Sequence, residues 1–95
     1  MSAPFPATVR GVNANGEAFE THTHLNNLSH VALNLSLTQP VKQEAKLFII
    51  IWLTPTPSQE AETPRVAVRG TVVRVEPKST GGSTVTVAIT NYRFL

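Results

Sequence analysis

The sequence predicts an all-β domain, a six-stranded antiparallel split barrel, and three observations carry that prediction. β-branched residues and Thr dominate, apolar residues recur with a period of two, and no long window holds a helical period. Pro and Gly fall between the apolar runs, where turns interrupt strands. The 95 residues suffice for one core, so residues 1–95 read as a single domain. Closure into a barrel is preferred to a two-sheet sandwich because it removes exposed strand edges.

The first strand spans 7–13, and Asn13-Ala14-Asn15-Gly16 then supplies a tight hairpin turn before a second strand over 17–23. The stretch Leu25-Asn26-Asn27-Leu28-Ser29-His30-Val31-Ala32-Leu33 places an Asn-x-Ser-x-x-small turn directly before a third strand. Over 31–38, Val31, Leu33, Leu35 and Leu37 alternate with Ala32, Asn34, Ser36 and Thr38, the pattern of a strand with one face in a core. Asn and Ser carry polar groups on short stems that bond nearby backbone, so the turn itself can fix the start of that strand.

Gln39-Pro40 ends the third strand and 45–54 makes the fourth. The segment 54–64 carries Pro55, Pro57 and Pro64 and no large apolar residue, and reads as a long, mobile surface loop. In the fifth strand, 64–76, Val66 and Val68 share one face while Val73 and Val75 share the other, with Gly70 between them as the expected bulge or bend. Lys78-Ser79-Thr80-Gly81-Gly82 forms a hairpin loop, and a sixth strand over 83–92 turns Val85, Val87 and Ile89 inward. The predicted interior is Val31, Leu33, Leu35, Ile49, Ile51, Val85, Val87 and Ile89.

Composition narrows the function classes. Hydrophobic residues make up 41% and charged residues 15%, which describes a folded domain with a surface rich in Thr, Ser and Asn. The net charge of +2 rests on eight scattered basic residues, too few for the dense stripe of a nucleic-acid binder, and the core needs several of the few aromatics. An OB-like nucleic-acid-binding barrel is therefore the weakest functional reading. The absence of Cys excludes a disulfide framework and a Cys-based zinc site and fits a reducing, cytoplasmic compartment. The longest apolar run, 47–53, is far short of a membrane span, and no signal-peptide pattern opens the chain.

Catalysis finds no constellation. The acids Glu17, Glu20, Glu44, Glu60, Glu62 and Glu76 lie mostly in turns or the long loop, there is no Asp, and no Ser stands in a nucleophile context, so the chain reads as a non-enzyme. His22 and His24 lie two apart and, with His30, have the residue types of a zinc site. They share a face with Ala18 and Glu20, opposite Phe19 and Leu25, so a solvated role is simpler and no metal is assigned. Arg65 and Arg69, four apart, share a face if no bulge intervenes.

The fourth strand is apolar on both sides. Leu47, Ile49, Ile51 and Leu53 can line the core, which leaves Phe48, Ile50 and Trp52 on the other face, although a barrel strand needs only one buried face. That second face is the expected surface for a protein partner or a second copy of the chain, with the C-terminus as its extension and Trp52 as its anchor.

Taken together, these features resemble the PilZ domain family of bacterial cyclic-di-GMP receptors. The resemblance rests on the Gly-containing hairpin turn at Asn15-Gly16-Glu17, the aromatic Phe19, a following Thr, the Asx-x-Ser-x-x-small turn, and Val72-Val73-Arg74-Val75 before a loop and a last Val-rich strand. It implies a bacterial cytoplasmic regulatory module in which Asn27 and Ser29 hold the ligand-turn positions and Arg10 is the sole arginine near the start. Two departures bear on the ligand. The family's Arg-x-x-x-Arg before the first strand has no counterpart in residues 1–9, and Ala32 stands at the family's Gly. A single Arg does not replace two guanidinium groups that grip phosphate and stack on guanine, and a Cβ at the Gly position obstructs close backbone approach. The expectation is a module without a cofactor, degenerate in its nucleotide site and acting by protein contact. The alternative is a cyclic-di-GMP receptor using Asn27 and Ser29 with arginines supplied from elsewhere.

Overall fold

A computed structural model describes residues 5–53 and 64–95 of the chain, so the expected Pro-rich loop lies almost wholly outside the described residues. The alternating segments form six strands: β1 (Pro6–Val12), β2 (Ala18–Leu28), β3 (Ala32–Leu37), β4 (Lys46–Trp52), β5 (Arg65–Pro77) and β6 (Ser83–Phe94). All pairings are antiparallel, in the order β1-β2-β3-β6-β5-β4, and β4 pairs back onto β1 to close the barrel. Two strands outrun their predicted limits. β2 continues to Leu28, and β6 to Phe94.

The continuation of β2 depends on a bulge. Leu25 pairs with Leu35 but Asn27 with Asn34, so Asn26 is an extra residue that resets the alternation. Leu25 is buried and Leu28 packs against the core, while Asn27 between them faces solvent. Inside the barrel, Val9, Leu35, Ile49, Ile51, Val72, Val85 and Val87 are wholly shielded from solvent.

Most of the predicted interior is buried, with two corrections. Val31 is 59% exposed: its chain is still turning, Ser29 N–H donates to Ala32 O at 2.9 Å, and the inward phase of β3 begins at Leu33. Ile89, at the rim, is half-buried against the core. A bulge lies beside Gly70 as expected, but its extra residue is Thr90 of β6, between Arg69↔Asn91 and Gly70↔Ile89, and the change of phase within β5 comes later. Val66, Val68, Gly70 and Val72 all lie on the inner face, and the slip falls at Val73, which pairs with nothing between Val72↔Val87 and Arg74↔Thr86. Val73 therefore points outward and Val75 returns toward the core, so the two do not share a face.

Gly70 serves close packing. A Cβ there would collide with Val87 Cγ1 and lie 2.7 Å from Ala88 O, so the missing side chain lets β6 approach. The hairpin turns form as expected: Asn13 Oδ1 accepts from Asn15 N and Glu17 N, with Gly16 at φ 83°. The turn before β4 is less relaxed, since Glu44 holds φ 73°, a region that Cβ disfavours.

Two stability predictions follow from this packing. Leu33→Ala and Ile49→Ala should each lower unfolding free energy by about 2–5 kcal/mol in denaturant titrations, whereas Val31→Ala should stay within about 0.5 kcal/mol of the parent. Glu44→Gly should raise stability by about 1 kcal/mol, because its side chain is exposed and its left-handed backbone is relieved.

Candidate interaction site

Closure of β4 onto β1 determines what lies beside its outward face. Across the outer surface, Glu20, Arg10, Phe48, Arg69 and Asn91 form one cross-strand row; His22, Thr8, Ile50, Ala67 and Arg93 form the next. A third row holds Trp52 and Arg65, and Leu95 N–H donates to Arg65 O beside them. The stripe Phe48, Ile50 and Trp52 is half-buried by these neighbours, while Arg10, Arg65, Arg69 and Arg93 are exposed.

Each neighbour leaves a physical trace. The Arg69 guanidinium sits 5.9 Å from the centre of the Phe48 ring, within cation–π range. Arg10 is paired with Glu20 at 2.8 Å across the strand, and Thr8, buried on the same surface, shares a 3.0 Å hydrogen bond with His22 Nδ1. Two depressions meet at Phe48 and Arg69. One, of about 680 Å³, is bordered by Arg10, Val12, Lys46 and Thr90; the other, of about 400 Å³, by Ala67, Asn91, Arg93 and Leu95. Tyr92 and Phe94 do not fold back over the stripe. They face the opposite side of β6, over an apolar cavity of about 350 Å³ lined by Leu28, Ile51, Val66 and Val68 at the barrel's open end.

The turn that suggested a ligand site is a separate place. Asn27 and Ser29 are both exposed, but the Ser29 hydroxyl is engaged by its own turn: Oγ donates to Ala32 O at 3.1 Å and accepts from Ala32 N at 3.2 Å. The cavity between Asn27, Ser29, Ala32, Leu33 and Asn34 is about 100 Å³, against about 300–1,000 Å³ for typical small-molecule pockets. Arg10 does not reach it. Its partner Glu20 stands seven positions before Asn27 along β2, a path of roughly 20 Å at about 3.3 Å per residue. His22 and His24 are exposed on the outer face of β2 and His30 lies in the turn; among the described residues no three metal-ligand side chains converge.

No family model and no curated protein matches the sequence. Among solved structures, the chain is similar to the inhibitor of motility MotI/DgrA of Bacillus subtilis, with a TM-score of 0.75 at 16% identity. The match covers 98% of this chain and 41% of that one. The fold is PilZ-like. At that identity the likeness concerns the barrel alone. No helix among the described residues is long and apolar enough to cross a membrane.

Sequence reading identified Phe48, Ile50 and Trp52 but missed their cationic border. The parity of Arg65 and Arg69 was visible in the chain; Arg10 and Arg93 join them only through β1–β4 closure and the β5–β6 register. The two halves of the expected ligand set are thus separated, with Arg10 beside Phe48 and Asn27 beside Ser29.

If the turn is structural, Ser29→Ala should lower stability by about 0.5–1.5 kcal/mol through loss of its hydroxyl bonds. Asn27→Ala, at an exposed strand position, should change it by less than about 0.5 kcal/mol. Chemical denaturation of the two variants provides the comparison.

Proposed function

We propose that this chain is a PilZ-like regulatory module that acts by binding another protein through the outer face of β4, and that it does not itself hold cyclic-di-GMP. The observation that carries this reading is the stripe Phe48, Ile50 and Trp52, three large apolar side chains on the outward face of a strand whose inner face already fills the core. The core is filled without these side chains, and a Trp in an apolar stripe bordered by arginines is the composition of an interface anchor. The similar solved protein is named an inhibitor of motility, a regulatory task, which agrees with a regulatory module here.

The turn supports the same conclusion. Its serine is bonded within the turn, its cavity is small, and Arg10 is committed to Glu20 on another part of the barrel. Cyclic-di-GMP recognition by this chain would need guanidinium groups beside Asn27, and the phosphate and guanine contacts they make are worth about 1.5–3 kcal/mol each. The alternative receptor reading keeps Asn27 and Ser29 as contacts and draws its arginines from elsewhere.

Calorimetric titration of the chain with cyclic-di-GMP should give no saturable heat in the micromolar range. Saturable binding abolished by Asn27→Ala would establish the receptor reading instead. For the protein-binding half, Trp52→Ser should leave the thermal transition of the barrel intact and weaken partner binding by about tenfold or more, as loss of a hot-spot aromatic does. A variant that unfolds would show that Trp52 belongs to the core.

A further inference from the structure

We infer that the partner of the β4 face is an acidic, extended protein segment with a large apolar side chain, seated over Phe48, Ile50 and Trp52. This deepens the protein-binding reading and rests on it. Among the described residues, the outer rows around the stripe bring together Arg10, Lys46, Arg65, Arg69 and Arg93, against one side-chain carboxylate, Glu20, which Arg10 already engages. Among the described residues the ion pairs are Arg10–Glu20 and Arg74–Glu76, so the remaining cations on this face are held by no carboxylate there. Charge complementarity selects an acidic occupant.

The arrangement also disfavours the other occupants. A symmetric contact with a second copy would press the same cationic patch against itself, placing Arg65, Arg69 and Arg93 near their own equivalents. Single-stranded nucleic acid needs a continuous phosphate track and free aromatic faces, whereas Phe48 is half-buried beneath Arg69 and Ile50 offers no stacking surface. The two depressions that meet at Phe48 cross the sheet, one over β1 and β4 toward Lys46 and one over β5 and β6 toward Arg93 and Leu95, so an extended segment can follow them with one apolar residue at Phe48, at the head of the stripe. Arginine suits the border because its planar fork grips carboxylates in pairs while its stem lies on apolar surface.

Trp52 is the sole tryptophan and reports directly on this face. The test titrates the chain with a Glu-rich peptide carrying one central Leu, with the same peptide in which every Glu is Gln, with oligo-dT, and with phosphatidylserine vesicles. The acidic peptide should shift Trp52 fluorescence saturably and weaken with added salt, and the Gln peptide should bind at least about tenfold more weakly. The double variant Arg69→Glu, Arg93→Glu should lose about tenfold or more in affinity with an unchanged melting curve, while Lys78→Glu, in the distant β5–β6 loop, should change it less than about twofold. Equal binding of the Gln peptide, with Trp52 still responding, would overturn the acidic assignment and leave the protein-binding face standing. Tighter binding of oligo-dT or vesicles through the same arginines would overturn it in favour of that partner. A Trp52 signal that no peptide moves would overturn the inference, and the Trp52→Ser experiment then decides whether the face binds protein at all.

Discussion

At one level of the barrel, Gly11, Leu47 and Gly70 lie side by side on β1, β4 and β5, and the closure of the sheet depends on this row. A Cβ at Gly11 would stand 2.6 Å from Leu47 Cδ2, and one at Gly70 would meet Val87 and the backbone of Ala88. A six-stranded barrel has a narrow interior that side chains must fill without crowding. Here Leu47 alone supplies the bulk for three adjacent strands, with Phe19 packing from β2 beyond Gly11. The missing side chain at Gly11 lets β1 come in tightly on Leu47 of β4, where the first and fourth strands pair and leave no sheet edge, and the one at Gly70 lets β6 come in on β5.

Closure has a second effect, on the outside. Alternation commits every residue of β4 to one face or the other, and inner positions Leu47, Ile49 and Ile51 oblige Phe48, Ile50 and Trp52 to face outward. The neighbours across β1 and β5 then place Arg10 and Arg69 on either side of Phe48, and Arg65 beside Trp52. Residues far apart in the chain become one surface because the barrel is closed and for no local reason. The β1–β2 register separates Arg10 from Asn27, since β2 runs away from the Glu20 pairing toward the turn.

What the sequence made legible was whatever a single strand or turn encodes by itself. The six alternating segments, the Asn13–Gly16 hairpin and the double apolar character of β4 could all be read directly. The bulges could be read only in part. Asn26, Val73 and Thr90 are extra residues only relative to a partner strand, and nothing in β5 alone distinguishes a slip at Val73 from one at Gly70. Gly70 was read as a bulge or bend, and a register shift does fall between Arg69 and Gly70, but its extra residue is Thr90 on β6, while Gly70 itself marks a close approach of that strand. Val31 was misplaced for a related reason: its apolarity continued the alternation of β3 backward into a turn whose hydrogen bonds end the strand at Ala32. The cationic border was illegible in the same sense, since eight basic residues scattered along a chain reveal no cluster until register assigns them to rows.

The arginines also make a half-buried apolar stripe compatible with a solvated surface. An apolar strand face invites stacking of one sheet on another, and charged residues flanking it oppose such contact by repulsion between copies. In the free protein Arg69 lies over Phe48, shielding the ring with its own planar group and retaining its charge at the surface. A partner that brings carboxylates can draw that guanidinium into a paired geometry and expose the ring to an apolar side chain in one movement. A neutral apolar partner would instead have to strip water from the arginines without giving them a counter-charge, a desolvation that opposes binding. In the proposed binding mode, the feature that keeps the stripe from sticking indiscriminately is thus the one that would select among partners.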